Sequence, residues 1–217
     1  MYEEITSIAI EDYLTALMPP RPEVFAELEA QAQKRGLPII GPVQGQLLQL
    51  LARTVDAREV LEIGTATGYA ALWLLSAVAP VGGRVTALER QHDRSNLALD
   101  FITRAGYADH VEIRQGDWFD ELQSLNGPYD LIFLDILRNV ETEHEALRAL
   151  DLCVERLRPG GLLVADNALC NGLVLEEDPA PIVRGIQQFN TTIMQHPQLE
   201  SVVLPVRDGV AICRKKA

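Results

Sequence analysis

The hydrophobic pattern changes period near residue 57. Before that point apolar residues recur at helical spacing. The run "ITSIAIEDYLTALM" (5–18) predicts a first helix, and "PPRP" (19–22) ends it, because proline cannot continue a helix. "PEVFAELEAQAQKRG" (22–36) predicts a second, with Pro22 near its start and Gly36 as its stop. "VQGQLLQLLARTV" (43–55) predicts a third. Beyond it, short β-type runs alternate with helical ones. The strands are "EVLEIG" (59–64), "GRVTALE" (83–89), "HVEIRQG" (110–116), "YDLIFLD" (129–135) and "GLLVAD" (161–166). Between them lie "GYAALWLLSAV", "DRSNLALDFITRAG", "WFDELQSL" and "ETEHEALRALDLCVERL". This alternation predicts a parallel sheet covered by helices on both faces. The tail differs. A helix over 180–195 precedes "ESVVLPV" and "GVAICRK", which are joined through "RDG". So short a connection makes a hairpin, and one end strand is then antiparallel. The expected fold is α/β: a doubly wound, seven-stranded, mostly parallel sheet, Rossmann-like, with its last strand reversed.

Composition narrows the setting. The chain has 217 residues, 47% hydrophobic and 23% charged, which is ordinary for one globular α/β domain. Its longest apolar runs fall far short of the ~20 residues of a membrane span. Acids stand at the N-terminus where a signal peptide carries basic residues. Cys153, Cys170 and Cys213 are widely spaced and form no CxxC pair, which agrees with a reducing compartment. A cytoplasmic protein with no membrane partner is expected. The net charge of −12 opposes broad contact with a phosphate backbone, although it leaves room for a local basic patch.

Candidate chemistry lies at the strand ends, where open α/β sheets bind ligands. The first strand runs into "EIGTATGYA", where Gly64 and Gly68 allow a tight turn beside a ligand. The spacing is G-x-x-x-G, neither a dinucleotide fingerprint nor a P-loop, and a purely structural glycine turn is equally consistent with it. The second strand ends at Glu89, an acid placed to accept from both hydroxyls of a ribose; a solvated strand-end carboxylate is the alternative. After the third come Asp117, able to accept from an adenine amine, and Trp118, whose flat face suits a purine as well as a core. Together these features favour S-adenosylmethionine. The fifth strand runs into "LLVADNALCNG" (162–172). Asp166 and Asn167 there set an acid and an amide at a buried strand's end, where such residues often cap the next turn.

The runs "VLEIGTATGYAALWL", "LIFLD", "LRPGGLLVADNALCNG" and "FNTTIMQHPQLESVVLPVRDGVAICRK" resemble the cation-dependent, S-adenosylmethionine-dependent O-methyltransferases of the caffeoyl-CoA and catechol type. The front, "YLTALMPPRPEVFAELEAQAQKRGLPI", is most similar to the bacterial branch that includes tRNA 5-hydroxyuridine methyltransferases. The resemblance implies a single methyltransferase domain over 1–217, with 1–56 a helical extension and 57–217 the cofactor-binding core. It implies a cofactor site of Glu62, Gly64, Thr65, Gly68, Ala70, Glu89, Asp117, Trp118 and Asp135. It implies cation ligands at Asp135, Asp166 and Asn167, hard oxygen donors suited to Mg²⁺ or another divalent cation, and an acceptor contact at Asn171. A small hydroxylated aromatic is the expected acceptor, with a hydroxylated uridine in tRNA as the alternative, and a homodimer the expected assembly.

Departures qualify the activity. Relatives follow the strand-four acid with a second acid and a lysine, whereas this chain has "DILRN". Leu137 replaces the acid and Arg138 the lysine. A guanidinium holds its proton far above neutrality, so Arg138 is limited to an electrostatic part in catalysis. Ala70 stands where relatives carry a serine. A cofactor-binding member without catalysis is therefore a third reading.

Overall fold

The structure is a computed structural model and describes residues 5–217. Met1–Glu4, part of the expected N-terminal extension, lie outside the described residues. The helices are α1 (Ile8–Leu17), α2 (Glu23–Arg35), α3 (Gly41–Thr54), α4 (Tyr69–Val78), α5 (His92–Arg104), α6 (Trp118–Ser124), α7 (Glu143–Arg156) and α8 (Pro181–Gln195). The strands are β1 (Glu59–Ile63), β2 (Arg84–Glu89), β3 (Val111–Gln115), β4 (Tyr129–Leu134), β5 (Leu157–Ala165), β6 (Leu199–Leu204) and β7 (Val210–Lys215). They form one seven-stranded sheet in the order β3-β2-β1-β4-β5-β7-β6. The pairs β1–β2, β2–β3 and β4–β5 are parallel, while β7 is antiparallel to both β5 and β6. The reversed last strand is the expected one. No helix among the described residues is long and apolar enough to cross a membrane.

The chain divides into two compact units. The first is Ile8–Glu121 and the second contains Leu122–Ala217. In the first, β1, β2 and α4 supply a dense core that includes Leu61, Ile63, Leu72, Leu74, Val85 and Ala87. Helices α2 and α3 are built onto α4. Phe25 of α2 sits edge-on to Trp73, with ring centroids 5.2 Å apart, a favoured aromatic geometry. Tyr69 donates its hydroxyl to Glu29 Oε1 at 2.7 Å, and Arg21 grips both oxygens of Glu29 at 2.8 and 2.9 Å. Gly45 of α3 lets the Trp73 indole lie against the helix, for a Cβ there would fall 2.2 Å from Trp73 Nε1. These ties fix the first turn of α4, and so the glycine loop that leads into it.

In the second unit, α7 starts on Thr142, whose hydroxyl accepts from Glu145 N at 3.2 Å. It stops at Arg156, one residue before the predicted end. Lys215 of β7 donates to Val154 O at 2.6 Å and Leu157 O at 2.7 Å, which satisfies carbonyls that helix termini leave open. Strand β5 then begins at Leu157 rather than at 161. It pairs with Tyr129 at Leu157, slips, and resumes with Leu131 opposite Leu162. Pro159, Gly160 and Gly161 occupy that slip.

Candidate functional site

The loop after β1 is shaped by backbone conformations that side chains rarely adopt. Gly64, Ala66 and Gly68 have φ of 94°, 48° and 82°. Gly64 N and Thr65 N both donate to Leu88 O at 3.0 Å, and Gly68 N donates to Thr65 O at 2.8 Å. Gly68 is also required for packing, because a Cβ there would lie 2.9 Å from Ala98 Cβ on α5. The turn therefore folds back over the end of β2, where Glu89 waits. Glu89 is 7% exposed, so the solvated alternative does not hold. Its Oε2 accepts from Ala66 N at 2.9 Å and its Oε1 from Gln91 N at 2.8 Å. Each carboxylate oxygen keeps a second acceptor site for a ligand hydroxyl.

Glu62 is fully buried beside this loop. Thr65 Oγ1 donates to its Oε2 at 2.6 Å, and its Oε1 has no hydrogen-bond partner. Burial pushes the Glu62 carboxyl up to about 7, against the lowering effect of the Thr65 hydroxyl, with a smaller push from Glu89 and a smaller lowering from the Ala71 backbone N–H. A buried acid with one open oxygen is costly unless a donor or cation meets it. Ala70 is buried and adds no polar group. At the end of β3, Asp117 is exposed and its Oδ1 accepts from Phe119 N at 2.9 Å, capping α6. Trp118 is half-buried and packs edge-on to Phe119 at 5.6 Å.

The second cluster lies in the second unit. Leu134 and Ala165 are register partners, and Asp166 N donates to Leu134 O at 3.0 Å. Asp135 and Asp166 are thus the next residues on neighbouring parallel strand ends. Asp135 is half-buried and Asp166 is 6% exposed. Asn167 turns the chain with φ 62°, and Cys170, Asn171 and Gly172 are left-handed as well. No group of three His, Cys, Asp or Glu side chains among the described residues is arranged to hold a metal, so a cation here depends on the amide. The residues present fit one: the Asn167 nitrogen is taken up by Asp208 Oδ2 at 3.1 Å, which leaves the amide oxygen available as a hard donor. Asn171 is exposed.

Leu137 is fully buried, so this position is closed into the core. Arg138 is 40% exposed on its side chain and pairs with Asp208 Oδ2 at 3.5 Å. Sequence reasoning passed over the residues that hold the loop. Asn190 Nδ2 donates to Ala168 O at 2.6 Å, and Gln187 Nε2 to Val174 O and Glu176 O at 2.9 and 3.1 Å. Their signal is the three-residue spacing on one face of α8, which periodicity assigns to the core before anything else.

Comparison with known proteins agrees with this geometry. Residues 18–216 match the family model described as O-methyltransferase. A catechol O-methyltransferase from Niastella koreensis is 32% identical, covering 94% of this chain and 95% of its own. A caffeoyl-CoA O-methyltransferase from Eucalyptus gunnii is 30% identical, covering 97% and 89%. A crystal structure of the O-methyltransferase from Bacillus cereus in complex with SAH superposes with a TM-score of 0.83 at 30% identity, covering 96% and 97%. The chain belongs to the O-methyltransferase family, in the caffeoyl-CoA and catechol class of S-adenosylmethionine-dependent enzymes.

Proposed function

We propose that the chain methylates a hydroxyl of a small aromatic acceptor with the help of a divalent cation held by Asp135, Asp166 and Asn167. The observation that carries this reading is the pair of carboxylates on adjacent strand ends, next to an amide whose oxygen is left open. When bound, the cation would lower the pKa of the accepting hydroxyl and fix its oxygen. S-adenosylmethionine supplies the methyl group on a sulfonium. The residues of the first unit bind the donor. Glu89 accepts from the ribose hydroxyls, the open Glu62 oxygen faces a cationic group of the donor, and Asp117 and Trp118 take the adenine. Asn171 contacts the acceptor. Fixing both reactants supplies much of the acceleration in such a transfer. No side chain described here serves as a general base in this scheme. The acceptor then gives up its proton to solvent, and acceptors of lower hydroxyl pKa react faster.

Labelled methyl transfer to a panel of catechols, with Mg²⁺ and after exhaustive chelation, tests the reading. Transfer lost on chelation supports it. Transfer only to tRNA moves the acceptor to a hydroxylated uridine, and no transfer to either leaves a noncatalytic cofactor-binding protein.

Glu89→Ala removes the ribose acceptor and also frees the Ala66 amide. Losing a charged hydrogen-bond partner is worth about 1.5–3 kcal/mol, so calorimetry should show roughly 10–100-fold weaker cofactor binding. Unchanged affinity would take Glu89 out of the site. Arg138→Ala should lower the rate on the order of tenfold if its charge contributes ~1.4 kcal/mol to the developing anion, while Arg138→Lys keeps most of it. Parental rates for Arg138→Ala across acceptors and pH would leave Arg138 no part in the chemistry.

A further inference from the structure

Between β6 and β7 lies a carboxylate that hydrophobic periodicity treats only as part of a turn. Asp208 is flanked by two left-handed residues, Arg207 (φ 50°) and Gly209 (φ 85°). The turn is pressed onto the loop after β5. Ala168 N donates to Gly209 O at 3.0 Å and Leu169 N to Asp208 O at 2.9 Å. A Cβ on Gly209 would lie 2.4 Å from Leu169 Cγ and 2.8 Å from Leu169 N, so any larger residue would force the two segments apart. The Asp208 side chain is only 14% exposed, and its two oxygens have separate tasks. Oδ1 accepts from the backbone N–H of Asn171. Oδ2 accepts from Asn167 Nδ2 at 3.1 Å and lies 3.5 Å from Arg138 Nε.

An ionised carboxylate can only accept hydrogen bonds. The end of the Asn167 amide that it holds is therefore the nitrogen. A half-turn of that amide would set oxygen against oxygen, so Asn167 Oδ1 is committed to the other side of the amide. We propose that Asp208 is a positioning residue for cation binding, which it serves by fixing the Asn167 oxygen as ligand and anchoring Asn171 in the same loop. The assignment rests on the cation reading given above. Without Asp208, Asn167 presents its NH₂ end in a share of its rotamers, and that end repels a cation. Partners that orient a metal ligand in this way are typically worth 10–100-fold in affinity. Arg138 offsets the charge of Asp208, so the carboxylate orients the amide without being an additional bare anion in the site.

The test is Mn²⁺ binding to the full chain by electron paramagnetic resonance, with neither methyl donor nor acceptor present. Asp208→Ala should weaken binding 10–100-fold. Asp208→Asn, which keeps the shape but has one acceptor oxygen for two amides, should fall between the two and serves if the alanine variant is unfolded by circular dichroism. The decisive arm uses Asn167→Asp. A carboxylate ligand has two equivalent oxygens and needs no orienting, so in that background either Asp208 change should leave affinity level or raise it by removing a like charge. A role confined to hairpin stability predicts equal losses in both backgrounds and would overturn the proposal. So would parental affinity for Asp208→Ala when Asp166→Ala abolishes binding. If the parent binds Mn²⁺ no better than Asp166→Ala, the cation reading itself falls and the assignment of Asp208 falls with it.

Discussion

Asp166→Ala is expected to abolish cation-supported methyl transfer while sparing the fold and cofactor binding. The Asp166 side chain is the more buried of the two carboxylates, at 6% exposure. Its backbone amide, which ties the end of β5 to Leu134 O, does not depend on that side chain. Removing it deletes a ligand and the charge that draws the cation in. Electrophilic assistance by a bound cation is worth several kcal/mol, and about 4 kcal/mol corresponds to roughly a thousandfold in rate. The fold should tolerate the change, because trimming the side chain removes a charge that is costly to keep out of water. Labelled methyl transfer across a Mg²⁺ titration measures the first part, and thermal melting without cation the second. Activity of the parent that survives exhaustive chelation would refute the assignment outright.

Much of this site was legible because its residues sit where a parallel sheet must place ligand-binding groups. Each of the first five β-type runs ended in Gly, Asp or Glu, and those strand ends are where the glycine loop, Glu89, Asp135 and Asp166 are found. The reversed last strand followed from the shortness of "RDG" alone. The same shortness hid Asp208, since an aspartate before glycine between two strands is fully accounted for as a turn residue. Its contacts with Asn167, Asn171 and Arg138 span separations along the chain that no local pattern encodes. The state of Glu89 was hidden for a related reason: only the folded-back loop, with Ala66 left-handed at φ 48°, brings an amide onto its carboxylate and excludes water. The early start of β5 was misread because Pro159, Gly160 and Gly161 weaken a strand locally, whereas pairing across the slip to Tyr129 carries it. Leu137 read as an apolar residue after the fourth strand, and its enclosure in the core gives it a packing role.

Glu62→Gln should make the cofactor-free protein more stable at pH 8 and a weaker binder of cofactor. The Glu62 carboxyl is raised from the ordinary 4.5 to about 7, chiefly by burial. Between those values the native state holds a proton that the unfolded chain has released. Stability therefore falls as pH rises through the window from 4.5 to 7, and the full penalty is present above it. A shift of that size corresponds to a penalty on the order of 3 kcal/mol. Glutamine keeps the shape and can still accept from Thr65 Oγ1, but it never ionises. It should flatten the fall between pH 4.5 and 7 and raise the pH 8 melting temperature by about 2–4 °C for each kcal/mol recovered. Cofactor binding should move the other way. A cationic group of the donor meeting the open Oε1 favours the ionised form, so the parent should bind more tightly as pH rises through the same window. Glu62→Gln should lose that dependence and bind roughly tenfold or more weakly at pH 8, as expected for losing a charge-assisted hydrogen bond. Melting curves and calorimetric titrations at pH 5, 6, 7 and 8 measure both slopes. Parallel stability profiles would show that Glu62 does not titrate on folding, and equal cofactor affinities would place its open oxygen away from the donor.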